Sequence, residues 1–167
     1  RSGGGGITLY GEGVRRGGTG LVQNSLVQEG AVGTFLISST LDAGSGTATI
    51  TGRGPNDGTA QAGNFGNSGV QVQGANSVVA GTIRIAGDGG DYGRGVDVGL
   101  NSPGASLALQ ANDIGITGRG TGTDPTSSLP YAGVQVNSSV VSNWTVLNPG
   151  TGLNTAPLTV TSTAGAV

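Results

Sequence analysis

The chain has 167 residues and a formal net charge of −2, with 36 glycines but only 2 phenylalanines and 1 tryptophan. It contains no cysteine, histidine, methionine or lysine, which excludes disulfides, ordinary zinc or copper sites, and Ser-His or Cys-His nucleophile pairs. The 7 basic residues are scattered arginines, so we expect no nucleic-acid partner. No apolar run reaches the ~18 residues of a membrane-spanning helix, so no membrane-spanning segment is predicted.

A short repeat organises the chain. ITGRG occurs at Ile50–Gly54 and again at Ile116–Gly120, and related sequences occur at Ile7–Gly13 and Ile83–Gly89. Alternating apolar residues predict a half-buried strand, and the glycine pair that follows predicts a tight bend. Each copy is therefore interpreted as one strand and one corner of a repeating coil.

Two further segments follow the repeat. The first has the form GVxV and lies at Gly69–Val72, Gly95–Val98 and Gly133–Val136; in the first repeat, Leu21–Gln23 and Leu26–Gln28 are alternative counterparts. The second is a short apolar stretch that lies at Ser77–Ala80, Ser106–Leu109 and Ser139–Ser142. Most of the length variation between repeats falls before GVxV, so we expect constant strands and variable loops.

Three strands per repeat, with Gly, Asn and Ser at the corners, predict an all-β fold, a right-handed parallel β-helix of about four to five coils. Stacking the coils would align apolar residues into inner ladders. The predicted ladders are Ile50 with Ile85 and Ile116, Val70 with Val96 and Val134, and Val72 with Val98 and Val136.

The predicted organisation has three parts. Residues 1–6 form a Gly-rich lead-in or the cut end of a longer protein, and residues 143–167 form a terminal segment in which Trp144 caps the last coil and Leu158–Thr163 adds a strand. Between them lie the β-solenoid repeats, residues 7–48, 49–82, 83–113 and 114–142.

Alignment of the repeats also predicts a column of charges. The residue between the two glycines of the bend is Glu12, Arg53, Asp88 and Arg119 in turn. Stacked coils would place these alternating signs beside one another, each pair contributing about 0.2–1 kcal/mol. We interpret the column as a device that fixes strand register, the alternative being chance.

Acidic residues are densest in the third repeat. Asp88, Asp91 and Asp97 lie in a Gly-rich segment that faintly resembles a calcium-binding nonapeptide, although its spacing differs. These three residues are the candidate calcium ligands, and no other cofactor is expected. The alternative is a set of exposed turn carboxylates with a local Asp91–Arg94 ion pair.

Three aromatic residues lie in the predicted loops. Phe65 lies in the long loop of the second repeat, and Tyr92 and Tyr131 each precede GVxV. They are candidate contact points for a ligand, with the tyrosines forming a platform for sugars. Packing against the coils is the alternative interpretation for all three.

The repeats resemble the filamentous-haemagglutinin-like repeats of large bacterial surface and secreted proteins, most clearly in ITGRGPNDGTAQAGNFGNSGVQV and ITGRGTGTDPTSSLPYAGVQV. The resemblance covers roughly residues 7–142. It implies a right-handed parallel β-helix, export to the cell surface or the extracellular space, and a role as an adhesin or surface fibre.

We therefore expect a non-enzymatic structural and adhesive module, a rigid rod that presents loops to cell-surface or matrix components, including polysaccharide. One alternative is a subunit that associates end to end into an extracellular fibre or sheath. Another is a polysaccharide-degrading β-helix enzyme, which would use paired carboxylates such as Asp88, Asp91 and Asp97.

Overall fold

A computed structural model describes residues 2–13, 32–55, 67–90, 93–98, 106–122, 131–136, 144–147 and 158–162, with the backbone alone for residues 136, 144–147 and 158–162. All regular elements in these ranges are β-strands. The predicted all-β class is therefore confirmed.

The strands follow one another along the described chain as β1 (Ile7–Glu12), β2 (Thr34–Ile37), β3 (Thr40–Asp42), β4 (Thr47–Arg53), β5 (Val70–Gln73), β6 (Ala75–Val79), β7 (Thr82–Asp88), β8 (Val96–Val98), β9 (Ser106–Gln110), β10 (Asp113–Arg119), β11 (Val134–Val136), β12 (Trp144–Leu147) and β13 (Leu158–Ser162).

Every third strand belongs to the same sheet. Sheet A has the order β1-β4-β7-β10-β13, sheet B the order β11-β8-β5-β2, and sheet C the order β12-β9-β6-β3. All of these strand pairs are parallel. The chain thus passes through the three sheets in turn and returns to sheet A one strand further along, a path compatible with a parallel β-helix. We call each passage a coil: β1–β3 form coil 1, β4–β6 coil 2, β7–β9 coil 3 and β10–β12 coil 4.

The apolar core lies between the sheets, and it is built from ladders in register. Ile50 pairs with Ile85 and Ile85 with Ile116, and all three side chains are buried. In sheet B, Val96 pairs with Val70 on one side and Val134 on the other, and these are buried too. Val72, Val98 and Val136 continue beside them, Val136 being described in its backbone only. The predicted ladders are therefore confirmed.

Four glycines stacked in register, which we call the glycine column, explain why glycine recurs near the end of each sheet A strand. Gly11, Gly52, Gly87 and Gly118 occupy successive register positions near the ends of the sheet A strands. A Cβ at any of them would overlap the carbonyl group of the glycine that precedes the next sheet B strand, these partners being Gly33, Gly69, Gly95 and Gly133 in turn. The backbones of sheets A and B therefore approach too closely for a side chain, so the two glycines recur together.

The structure corrects the interpretation of the first repeat. The sheet B strand of coil 1 is Thr34–Ile37, which pairs with Val70–Gln73. The two sequence alternatives, Leu21–Gln23 and Leu26–Gln28, lie outside the described residues. The sequence feature that marks this strand is the glycine before it, Gly33. Gly33 lies against Gly11 in the same way as Gly69 lies against Gly52.

The last coil also differs from the prediction. The sheet C strand there is Trp144–Leu147, paired with Leu107–Gln110, whereas the predicted segment Ser139–Ser142 lies outside the described residues. The backbone of Trp144 therefore belongs to a coil strand, and its role as a terminal cap stays a prediction. The predicted final strand is confirmed as β13, Leu158–Ser162.

The glycine column predicts a strong difference between two substitutions in β10. We expect Gly118→Ala to reduce the free energy of unfolding by about 1–3 kcal/mol, because its Cβ would overlap the Gly133 carbonyl. Gly115→Ala is the control, since its Cβ would contact only the flexible Arg84 side chain, at 3.3 Å from Cδ, and should change stability by less than about 0.5 kcal/mol. Urea unfolding followed by circular dichroism measures both. Equal effects would show that the close approach does not constrain the fold.

Candidate functional site

The connections from sheet A to sheet B include the longest ones in the chain and differ in length from coil to coil. They comprise residues 13–33, 54–69, 89–95 and 120–133 in coils 1 to 4. The connections from sheet B to sheet C are shorter in coils 1 and 2, residues 38–39 and residue 74 alone, and comprise residues 99–105 and 137–143 in coils 3 and 4. Because the strands stack in register, the long connections all leave from the same corner. We call this corner, with its four connections, the loop edge.

Backbone bonds join the loop edge of coil 3 to that of coil 4. Gly93 and Thr121 exchange N–H···O bonds of 3.1 and 3.0 Å. The Thr121 hydroxyl also donates to the carbonyl oxygen of Gly90, and the N–H of Gly90 donates to Oδ1 of Asp88 at 3.1 Å. These contacts hold the coil 3 connection against the start of the coil 4 connection.

The four charged residues of the bend lie at successive register positions. Glu12 pairs with Arg53, Arg53 with Asp88, and Asp88 with Arg119. Charges of alternating sign therefore follow one another across sheet A, beside the start of the loop edge. We call this set the charge column.

Asp88 and Arg119 form a direct ion pair within this column. Nη2 of Arg119 donates to Oδ2 of Asp88 at 2.7 Å. This hydrogen bond and the charge of the carboxylate raise the pKa of Arg119 above its ordinary value. Arg119 therefore remains charged at neutral pH, and its contribution would be lost only as the pH rises through this raised value. Because the pair is largely exposed, its contribution to stability is small, about 0.2–1 kcal/mol.

A second polar group covers the outer face of sheet B. It consists of Gln71, Arg94, Asp97, Tyr131 and Gln135, which we call the polar layer. Gln71 and Asp97 alternate with core valines, so they point away from the core, yet only 6% of Gln71 and none of Asp97 is exposed. The outer face of sheet B is therefore buried in coils 2 and 3.

Arg94 links the members of the polar layer. Its Nε donates to Oε1 of Gln135 at 2.5 Å, its Nη1 lies 3.6 Å from Oδ2 of Asp97, and its guanidinium carbon lies 5.6 Å from the ring centre of Tyr131. Gln135 and Tyr131 belong to coil 4, whereas Arg94 and Asp97 belong to coil 3. The buried arginine thus joins two coils through a charge, a hydrogen bond and an aromatic ring.

The candidate calcium ligands lie in different surroundings. Asp88 faces Arg119 and accepts from Gly90, and Asp97 is buried with Arg94. Asp91 lies outside the described residues, as does the alternative pair between Asp91 and Arg94. The described residues contain no group of three or more Asp, Glu, His or Cys side chains that is arranged to hold a metal ion.

The aromatic candidates have separate outcomes. Tyr131 is only 2% exposed, and its ring lies over Arg94. It packs against sheet B, so its assignment as a ligand contact was wrong. Phe65 and Tyr92 lie outside the described residues.

Sequence reasoning missed the Arg94–Asp97 pair. Its available signal was the GVDV copy of the motif, where a carboxylate replaces the glutamine of the two GVQV copies only three residues after an arginine. Asp97 was interpreted as exposed. The alternation of side chains along a strand predicts which face of the sheet a residue lies on, but it does not predict whether other residues cover that face.

A scan against protein-family models and searches of curated proteins and of solved structures found no match to the chain. Across the part of the chain that the structure describes, no helix is long and apolar enough to cross a membrane.

Reversing one charge tests the charge column. Arg53→Glu would place three carboxylates at successive register positions, with Glu12 and Asp88 on either side. We expect a loss of about 1 kcal/mol in the free energy of unfolding, partly recovered in roughly 0.5 M salt because exposed charges are screened. Arg53→Lys retains the sign and serves as the control. If the two variants unfold at the same urea concentration, the column does not stabilise the register.

Removing one partner tests the buried pair. Asp97→Asn leaves Arg94 charged inside the polar layer, and we expect it to cost about 3–5 kcal/mol. Replacing both residues with apolar side chains, as Arg94→Leu with Asp97→Val, should cost much less because no buried charge is left uncompensated. Chemical denaturation of the three proteins checks this order. A double variant no more stable than Asp97→Asn would mean that the ion pair is not the source of the effect.

Proposed function

We propose that the chain is a right-handed parallel β-helix module of a large extracellular bacterial protein, a rigid rod whose loop edge attaches to surface components. Extracellular location and bacterial origin rest on the resemblance to filamentous-haemagglutinin-like repeats. A role in attachment rests on the loop edge.

The observation that carries the proposal is the position of the variable connections. The strands of sheets A and B keep their register through four coils, while the connections between them range from residues 89–95 in coil 3 to residues 13–33 in coil 1. A surface that varies on a constant scaffold is typical of recognition, because changes in loops do not disturb the core.

The bases of these connections are firmly held. The glycine column sets the path on which each connection leaves sheet A, and the polar layer fixes the points where the connections of coils 3 and 4 enter sheet B. A rigid base reduces the entropy that a loop loses on binding. The arrangement therefore favours binding by the outer parts of the loops.

The proposed partners are polymers on cell surfaces or in the extracellular matrix, including polysaccharides. Binding is favoured over hydrolysis because Asp88 and Asp97, two described carboxylates near the loop edge, already face Arg119 and Arg94. A glycosidase of this fold would instead direct two carboxylates at one glycosidic bond.

A loop exchange tests the proposal. In the variant, residues 54–69 of coil 2 are replaced by the shorter coil 3 connection, residues 89–95, which joins the same two sheets. We expect unchanged circular dichroism and at least a roughly tenfold weaker affinity, equivalent to about 1.4 kcal/mol, for those polysaccharides or matrix proteins in an immobilised panel that the parent chain binds.

The control for this exchange is Arg84→Ala, which changes the exposed outer face of sheet A away from the loop edge. It should leave binding unchanged. The attachment role would be rejected if the parent chain binds no member of the panel, or if the loop exchange and Arg84→Ala weaken binding equally.

A further inference from the structure

Exposed apolar side chains are concentrated in coil 1. The exposed large hydrophobic residues of the described chain are Tyr10, Phe35 and Ile37, which are 67%, 43% and 56% exposed. Phe35 occupies the register position of Gln71 in coil 2 and, through it, of Asp97 in coil 3, both of which are buried. The outer face of sheet B is therefore polar and covered in coils 2 and 3 but apolar and open in coil 1.

Coil 1 also supplies the edge of sheet B. Thr34 donates its N–H to Gly69 and Ser38 donates to Gln73, at 2.8 and 3.2 Å. Since backbone groups alternate in direction along a strand, the N–H and C=O groups of Phe35 and Ile37 point to the opposite side of β2. The sheet order ends at β2 on that side, so no further strand of the described chain pairs with it.

The strand lacks the features that normally protect an edge. The segment 33–41, GTFLISSTL, contains neither a charged residue nor a proline. Both faces of β2 carry apolar side chains, Leu36 towards the core and Phe35 with Ile37 on the outside. An uncharged, apolar edge strand readily pairs with another strand.

We propose that β2 pairs antiparallel with β2 of a second copy of this chain, about a two-fold axis through Leu36, and so joins two molecules at coil 1. The pairing joins the four-stranded sheet B of one copy to sheet B of the other at their β2 edges.

The edge is complementary to itself in this register. A two-fold axis through Leu36 places Phe35 of each copy opposite Ile37 of the other, and these are the two residues whose backbone groups point outward. Each such pair exchanges two N–H···O bonds, and its two apolar side chains lie on the same outer face with Cβ atoms about 4.5–5.5 Å apart. Since β2 carries no charge, no like charges face each other across the axis.

Cysteine cross-linking tests this register directly, because the chain contains no cysteine of its own. Phe35→Cys and Ile37→Cys are prepared separately, one with a mass tag, and oxidised alone and as an equal mixture. We expect the mixture to form tagged heterodimers at least roughly tenfold faster than either variant forms homodimers. Opposed Cα atoms lie about 5.5 Å apart, whereas the identical positions are diagonal and about 7–8 Å apart, too far for an unstrained disulfide.

Thr49→Cys is the matched control for random collision. Thr49 is a partly exposed residue of β4, an inner strand of sheet A. Heterodimer formation no faster than the homodimers, or no faster than cross-linking of Thr49→Cys, would overturn the proposal.

Light scattering after size-exclusion chromatography provides an independent test. The unaltered chain should be a dimer, and Phe35→Thr with Ile37→Thr should raise the dimer dissociation constant at least roughly tenfold while retaining the circular dichroism of a β-protein. Tyr10→Thr, on the outer face of sheet A, should leave the dimer unchanged. A monomeric parent chain, or filaments instead of a closed dimer, would contradict the two-fold pairing.

Discussion

The close approach of sheets A and B at the glycine column is the constraint on which the rest of the structure depends. Gly52 and Gly69 are in backbone contact, and the same contact recurs in each coil. It fixes where the chain leaves one sheet and where it enters the next. Once these two points are fixed, isoleucine and valine ladders align in the core, and the connection between the sheets is free to change in length.

The loop edge follows from this separation of constant and variable parts. Stacked parallel strands cannot change in length without breaking the ladders on both sides, since a one-residue slip would turn every core side chain outward. A connection outside the stack has no such limit. The arrangement places the longest connections, residues 13–33, 54–69 and 120–133, at one corner of the coil, and the charge column and the polar layer lie on either side of that corner.

The polar layer shows that the outer face of sheet B is part of the protein interior in coils 2 and 3. Burying Arg94 with Asp97 is costly unless both are well compensated, so the net contribution of such a pair to stability is small even though breaking it is expensive. Here the pair, with Gln135 and Tyr131, joins coil 3 to coil 4. Coil 1 has Phe35 at the equivalent position, exposed on an edge strand. The outer face of sheet B is therefore polar and buried in coil 3 but apolar and exposed in coil 1, and the coil 1 end is the one proposed to associate.

The sequence by itself determined the all-β class, the repeating strands and the ladders, because a period of two residues and recurring Gly pairs directly encode strands and corners. The alignment that gave the charge column, Glu12 to Arg119, came from the same repeats. Tertiary structure alone decided that Thr34–Ile37 and Trp144–Leu147 complete their coils, since irregular connections hide which apolar segment pairs with its neighbour. It also decided that Tyr131 and Asp97 are buried. Alternation along a strand tells which side a residue faces, but only the folded connections and neighbouring coils determine whether water or protein lies there.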